Sequence, residues 1–155
     1  SKIGSKPNLE KTNLNQQLDQ CRSYMEKRAS KKVRFDFPDP NENVVFANIN
    51  APLFDWVMEN LMRNSLDAMD GTGTIKAEIY RDEEYISIDL SDTGKGMSTS
   101  QFKQVFEPGY TTKKRGWGLG LSLAKRIIEN YHKGKIYVKK SVIGTGTTFS
   151  VKLPV

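Results

Sequence analysis

The feature that most constrains this chain is the segment 87–96, which reads SIDLSDTGKG and joins a short apolar strand to a glycine-rich loop. Alternation places Ile86, Ile88 and Leu90 on one face of the strand, and Asp92 continues the same parity. A carboxylate that faces the core must accept hydrogen bonds to offset its desolvation. We therefore expect a polar pocket where this strand ends.

Two glycines follow Asp92 at once. Gly94 and Gly96 permit positive φ and allow a ligand to approach the backbone closely. A buried acceptor beside bare backbone suits a flat heterocycle that carries an amino group, so one interpretation is a nucleotide-base pocket. The alternative is an ordinary strand followed by a D-x-G turn, and this segment by itself leaves both interpretations open.

Length and charge limit the class of protein. The 155 residues suffice for one domain with a sizeable core. The 24 basic and 18 acidic residues give a net charge of +6, which favours anionic ligands but falls short of a nucleic-acid signature. A single cysteine, Cys21, excludes an intrachain disulfide and argues against zinc. No apolar run is long enough to span a membrane, so we expect a cytoplasmic domain and leave open whether a full-length protein is membrane-anchored.

Hydrophobic periodicity and turn residues predict the elements. Residues 1–13 are polar and are interpreted as a linker or the end of a preceding dimerisation region, and residues 14–155 as one domain. The predicted helices cover 14–30, with Asn13 as N-cap, 53–69, preceded by the helix-start signature of Asn50 before Pro52, 98–105, with Ser98 as N-cap, and a segment after 116 that ends before Gly134. The predicted strands cover 33–37, 44–47, 74–81, 85–91, 135–141 and 147–154.

The helix predicted over 53–69 carries an apolar arc with amides on its edge. Asn60 and Asn64 lie four residues apart there, with Asp67 beside them. Asparagine is a mediocre helix former, so two on a semi-buried edge are unexpected without a polar ligand, and an amide oxygen can ligate Mg²⁺. The alternative is two tolerated polar residues at a helix boundary.

Two further segments suggest an anion site. Residues 106–116 have the composition of a mobile loop. The run 116–121, GWGLGL, opens a helix whose free N–H groups and dipole favour phosphate, although its spacing is not the dinucleotide fingerprint. In the last strand Thr147 shares the parity of Phe149, so its hydroxyl should point inward like Asp92.

Taken in this order, the motifs resemble the catalytic ATP-binding (HATPase) domain of sensor histidine kinases, within the GHKL superfamily. They are ENLMRNSLDAM (59–69) for the N box, DTGKGM (92–97) and GWGLGL (116–121) for the glycine boxes, FEPGYTTK (106–113) for the F box, and GTGTTFSVKLP (144–154) for the terminal strand. The LDAM ending and the TTK loop look closest to the nitrogen-regulation type. The resemblance implies an α/β fold, a two-layer α/β sandwich of the Bergerat type, with a mixed, largely antiparallel sheet and helices on one face.

The resemblance also implies residue roles and ligands, ATP and Mg²⁺. Asn64 would ligate magnesium, Asn60 would line the phosphate region, and Lys113 or Lys114 would reach the phosphates. Asp92 would accept from the adenine amino group. The residues expected to contact the nucleotide are Asp92, Gly94, Gly96, Met97, Lys114, Gly116, Gly118, Leu119, Gly120 and Thr147. The γ-phosphate would pass to a histidine on a dimerisation domain of a homodimer and onward to a response regulator.

Several residues depart from the family pattern. Gly109 stands where the F box has an aromatic residue, and Trp117 stands where a small residue separates the glycines. His132, the one histidine, is interpreted as a structural residue at a helix end.

Two rival functions are weighed against the kinase. A GHKL-type ATPase clamp would need a glutamate where Asn60 stands, and Glu59 points away on the helical wheel. A basic nucleic-acid module is disfavoured because aromatic and basic residues do not interleave on any predicted strand, so no nucleic acid is expected.

Overall fold

The structure is a computed structural model in which residues 8–110 and 120–155 are described. In chain order the elements are β1 (Glu10–Asn13), α1 (Leu14–Glu26), β2 (Val33–Asp36), β3 (Phe46–Ile49), α2 (Ala51–Met69), β4 (Gly73–Arg81), β5 (Tyr85–Asp92), α3 (Gln101–Gln104), α4 (Gly120–Arg126), a π-helical turn (Ile127–Tyr131), β6 (Lys135–Val142) and β7 (Gly146–Pro154). No helix in these two described ranges is long and apolar enough to cross a bilayer.

A five-stranded sheet in the order β2-β4-β5-β7-β6 carries the core. β2 pairs parallel with β4, and the other pairs are antiparallel. The predicted parity of β5 is confirmed, because Ile86, Ile88 and Leu90 are all buried beneath the helices. The mixed, largely antiparallel sheet with helices on one face is the architecture that the resemblance implied, and it is confirmed.

Asparagine caps start the two long helices. The Asn13 side chain accepts a hydrogen bond from Gln16 N at 3.0 Å, and the Asn50 side chain accepts one from Leu53 N at 3.1 Å. The predicted Asn13 cap is therefore confirmed, and Asn50 caps α2, which begins at Ala51, two residues before the predicted start at 53. α1 ends at Glu26, before the predicted position 30, because the chain passes into turns there. The core side of α2 consists of Phe54, Val57, Met58, Leu61, Met62, Ser65 and Met69.

The N-terminal linker prediction is wrong for residues 10–13. They form β1, which pairs antiparallel with β3, so that Thr12 lies opposite Ala47. The sequence EKTN has no apolar alternation, and the pairing is made by backbone groups. β3 itself begins at Phe46, two residues later than the strand predicted over 44–47. Residues 1–7 of the predicted linker lie outside the described residues.

Two helix predictions also need correction. α3 begins at Gln101, later than the predicted start, because the Ser98 hydroxyl hydrogen-bonds the Gln101 side chain instead of capping backbone amides. The last helix is α-helical only to Arg126 and continues as a π-helical turn, whose end is closed by the bond from His132 N–H to Ile127 O.

Candidate functional site

Asp92 ends β5 with its carboxylate buried on the helix side, 7% exposed. Its Oδ1 accepts hydrogen bonds from Gly94 N at 2.9 Å and Thr147 N at 3.3 Å. Burial raises the pKa of Asp92, and the two backbone N–H groups and the Ser65 hydroxyl partly oppose that rise. Within the described ranges no cation lies in ion-pair range of this carboxylate. Among the described residues, Asp92 is thus a buried acceptor without a counter-charge.

Ser65 on α2 is a site residue that sequence reasoning missed. It is 1% exposed, and its Oγ makes no hydrogen bond with any described residue, yet the hydroxyl lies near enough to Asp92 to lower that pKa. A buried hydroxyl without a partner is costly and is usually explained by function. The sequence indicated that Ser65 is buried, because it follows Leu61 by four residues and so lies on the apolar arc of the helix.

Thr147 points inward as predicted and is buried. Its Oγ1 lies 2.7 Å from Ser141 Oγ on the neighbouring strand β6, while its backbone N–H reaches Asp92. Ser141 Oγ also accepts from Met97 N at 2.8 Å. Ser141 therefore links the glycine loop to the start of β7 by hydrogen bonds. Ser141 lies opposite Thr147 in the register of β6 and β7. The alternation of side chains along a single strand does not reveal that register, so the sequence did not indicate Ser141 as a site residue.

The glycine loop after Asp92 is held by backbone packing. A Cβ on Gly94 would lie 2.7 Å from the backbone of Ala68, and Lys95 N–H donates to Ala68 O at 2.9 Å. Gly96 has φ +71°, and a Cβ there would overlap the carbonyl oxygen of Val142. The space that the sequence interpretation assigned to a ligand is used, at least in part, to seat this loop between α2 and the β6–β7 turn.

One amide of α2, that of Asn60, lies beside the first residue of α4. Asn60 is half-buried and its Nδ2 donates to Trp56 O at 2.7 Å. Its Oδ1 faces Gly120, since a Cβ on that glycine would lie 3.0 Å from this oxygen. Asn64 follows one turn later and is half-buried. The structure thus brings Asn60 and Gly120 together.

The donor set fits magnesium better than a protein-only metal cage. In residues 8–110 and 120–155 no cluster of three or more His, Cys, Asp or Glu side chains could hold a metal ion. Mg²⁺ commonly takes one or two protein oxygens and completes its shell with water and ligand phosphates. The Asn60 amide oxygen on α2, beside Gly120, is compatible with that arrangement.

Part of the predicted site falls on residues 111–119. Lys113, Lys114, Gly116, Gly118 and Leu119 therefore lie outside the described residues, as does Trp117. Of the preceding F box, Phe106 is buried and its ring meets Phe149 edge-on, with centroids 6.2 Å apart.

Glu59 and His132 lie outside the candidate site. Burial and the Asp55 charge raise the pKa of Glu59, while Arg63 and Arg28 oppose that rise, so Glu59 faces the α1 side. His132 is buried; its Nε2 accepts from Asn50 N at 3.1 Å and its Nδ1 bonds Ile127 O at 3.0 Å. These bonds require the neutral Nδ1–H tautomer, and burial lowers the pKa of His132. The structural role predicted for His132 is confirmed.

Several known proteins are similar to this chain. A family model described as "Histidine kinase-, DNA gyrase B-, and HSP90-like ATPase" matches residues 50–155. Sporulation kinase E of Bacillus subtilis is 42% identical over 100 residues, 64% of this chain and 13% of that protein. The histidine-protein kinase AtoS of Escherichia coli is 35% identical over 129 residues, 82% of this chain and 21% of that protein.

A solved structure agrees over nearly the whole chain. The catalytic domain of histidine kinase ThkA superposes with a TM-score of 0.83 and 26% identity, covering 94% of this chain and 95% of that one. The curated relatives above are much longer, and this chain spans only 13% and 21% of their lengths.

Proposed function

Because this chain belongs to the family of histidine kinase-, DNA gyrase B- and HSP90-like ATPases, we propose that it is the ATP-binding catalytic domain of a two-component sensor histidine kinase. The domain binds Mg-ATP and presents the γ-phosphate to a histidine on a separate dimerisation domain. In the full-length homodimer the phosphoryl group then passes to a response regulator.

The observation that carries the proposal is the Asp92 carboxylate. Its Oδ1 is occupied by the N–H groups of Gly94 and Thr147. The carboxylate is buried and faces no described cation, so it suits a neutral donor such as the exocyclic amino group of adenine. Guanine carries a carbonyl oxygen at that position, which a carboxylate would repel, so we expect preference for ATP over GTP.

The phosphate end is assigned to α2 and the start of α4. Bound Mg²⁺ supplies neutralisation of phosphate charge, with Asn64 as its protein ligand and Asn60 lining the same region beside Gly120. Lys113, Lys114, Gly116, Gly118 and Leu119 complete the phosphate contacts in this proposal, and Met97 follows Gly96 at the base end. Catalysis would consist of positioning and electrostatic stabilisation.

The first test compares two aspartates on one strand. We expect Asp92→Asn to weaken Mg-ATP binding by about a hundredfold, because it loses a charged acceptor, and Asp89→Asn to change it by less than about twofold. Asp89 is the matched control, since it is buried on β5 but on the opposite sheet face. Isothermal titration measures both. Wild-type affinity in the Asp92 variant would refute the assignment.

Transfer is favoured over hydrolysis by the surroundings of Asn60. The position where an ATPase of this superfamily would place a water-activating glutamate is an amide here, and Glu59 faces Asp55 and Arg63 instead. We expect the chain to release phosphate slowly and to phosphorylate a histidine-bearing dimerisation domain supplied separately. Rapid steady-state phosphate release by the chain alone would favour the ATPase alternative.

Within the sensor kinases we place the chain nearest the nitrogen-regulation type. This subtype rests on the LDAM ending of the N box and on the TTK segment. The relatives reported above carry other names, a sporulation kinase and AtoS, so the subtype stays a prediction.

A further inference from the structure

The face of the five-stranded sheet that points away from the helices is polar and charged. We call it the open face. By strand register it includes Arg34, Asp36, Lys76, Glu78, Tyr80, Tyr85, Ser87, Asp89, Ser91, Lys135, Tyr137, Lys139, Lys140, Thr148, Ser150 and Lys152. Antiparallel sheets commonly leave one face to solvent, so polarity alone indicates no function. The distribution of charge on this face is the informative feature.

Four lysines concentrate on the β6–β7 side of the open face, and we call them the basic strip: Lys135, Lys139, Lys140 and Lys152. A β-bulge between Val138 and Lys140 brings two consecutive lysines to the same face. Lys139 Nζ donates to Asp89 Oδ2 at 2.6 Å, while Lys140 lies opposite Thr148. Asp89 is thus matched by one lysine, and the strip keeps an excess of positive charge.

Tyrosine rings lie against three of these four lysines. The Nζ atoms of Lys135 and Lys152 lie 5.3 Å and 5.6 Å from the ring centroid of Tyr85, and Lys139 Nζ lies 5.8 Å from that of Tyr80. An ammonium group that is already positioned loses less side-chain entropy when it binds an anion. Three of the four cations of the strip, those of Lys135, Lys139 and Lys152, are therefore preorganised.

The strip also corrects an expectation from the sequence. Lysine and tyrosine do interleave on β6, as Lys135, Tyr137 and Lys139, although no predicted strand was expected to show this pattern. However, ammonium groups lie over the rings of Tyr85 and Tyr80, where a nucleobase would have to stack. This geometry favours carboxylates over single-stranded nucleic acid as the ligand.

Protection of a sheet edge is the competing explanation. β6 is an edge strand, and lysines and bulges are common means of preventing edge-to-edge aggregation. That account explains the lysines of β6. It does not explain Lys152, which lies on the interior strand β7 and shares Tyr85 with Lys135.

We propose that the basic strip binds a carboxylate-rich, extended segment of a partner protein. Side chains alternate along an extended chain, so every second acidic residue can face the lysines. Charge complementarity of this kind raises association rates and makes binding salt-dependent. The strip lies on the sheet face opposite Asp92, so occupancy of the nucleotide pocket does not require it to be empty.

The test uses a fluorescein-labelled peptide of alternating glutamate and threonine, with a glutamine–threonine peptide as neutral control. Fluorescence anisotropy should show saturable binding of the acidic peptide that weakens as salt is added. The double variant Lys140→Glu/Lys152→Glu should bind it at least about tenfold more weakly. The matched control, Lys27→Glu/Lys31→Glu, makes the same change in net charge at exposed positions off the sheet and should bind within about twofold of wild type.

Three outcomes would overturn the proposal: no saturable binding to wild type, equal weakening in both double variants, or tighter binding of a single-stranded oligonucleotide that the strip variant alone loses. Thermal unfolding and Mg-ATP titration check that the strip variant is folded. If it is not, Lys140→Gln/Lys152→Gln replaces it and should still weaken binding. If the wild-type chain does not bind Mg-ATP, the proposed function is refuted. The strip proposal is not, because it is tested by peptide binding alone.

Discussion

Asp89 and Asp92 are both buried carboxylates on β5, but they face opposite sides of the sheet. Asp89 pairs with Lys139 at 2.6 Å, and its other oxygen, Oδ1, has no hydrogen-bond partner in the described part of the chain. Asp92 instead accepts two backbone N–H groups and faces no described cation. The first charge is compensated within the fold. The second remains available to a ligand.

The difference shows why burial alone does not mark a binding site. The charge of a buried carboxylate is neutralised when a cation pairs with it. A carboxylate that accepts only backbone N–H groups keeps a negative electrostatic potential, which can attract a ligand. Burial accordingly raises the pKa of Asp92, and the free protein bears that cost. We expect the two positions to respond differently to substitution.

The largest expected effect on stability is at the compensated pair. Lys139→Ala should lower the free energy of unfolding by about 2 kcal/mol, because it strands a buried carboxylate; the half-exposed lysine keeps the loss below that of a fully buried pair. The double variant Lys139→Ala/Asp89→Asn should recover most of that loss. Urea unfolding measures both. Equal losses in the single and double variants would contradict the pairing argument.

A smaller effect is expected from Asp92→Asn without nucleotide. Burial raises the pKa of Asp92 in the folded state above its value in the unfolded chain, which is about 3.9 for aspartate. The protonated carboxyl therefore contributes to stability below the unfolded pKa, and this contribution is lost as the pH rises through the folded pKa. The Asp92→Asn variant has no ionisable group at this position, so it does not lose this stability as the pH rises. Its unfolding free energy should therefore rise relative to wild type between acid and neutral pH. A relative fall across that range would mean that the native state stabilises the ionised form.

The smallest effect is expected at Ser65. Ser65→Ala relieves the desolvation cost of a buried hydroxyl that has no hydrogen-bond partner among the described residues, but it also removes a dipole that stabilises the ionised Asp92 carboxylate. The two effects oppose each other, so the unfolding free energy of the free domain should change by no more than about 0.5 kcal/mol. Since that hydroxyl lowers the pKa of Asp92, the variant should raise it further. NMR titration of the Asp92 carboxyl reports the pKa, with Thr72→Ala, an exposed hydroxyl in the α2–β4 turn, as the control.

Much of the site follows from periodicity. Parity along β5 and β7 correctly turned Asp92 and Thr147 inward, and the wheel of α2 put Asn60 on the edge of the buried arc. These predictions succeed because side-chain direction in a strand or helix is fixed locally. The roles of individual site residues remain predictions, and those on 111–119 lie outside the described residues.

What the sequence could not supply depends on contacts between distant segments. β1 has no apolar pattern and exists because it pairs with β3. The π-helical turn is closed by His132, which also bonds Asn50 at the start of α2. Ser141 joins the site through its register with Thr147. Such pairings are set by tertiary structure, which no local pattern encodes.

The two backbone hydrogen bonds of Lys95 determine which sequence changes the glycine loop can tolerate. Its N–H donates to Ala68 O, and its C=O accepts from Gly144 N at 2.7 Å, so the backbone of this one residue is hydrogen-bonded on both sides, to α2 and to the β6–β7 turn. Neither bond uses the lysine side chain, which is exposed. Evolution can therefore exchange that side chain freely, whereas insertion or deletion of a single residue between Asp92 and Met97 would break both attachments. Gaps in related chains should accumulate elsewhere.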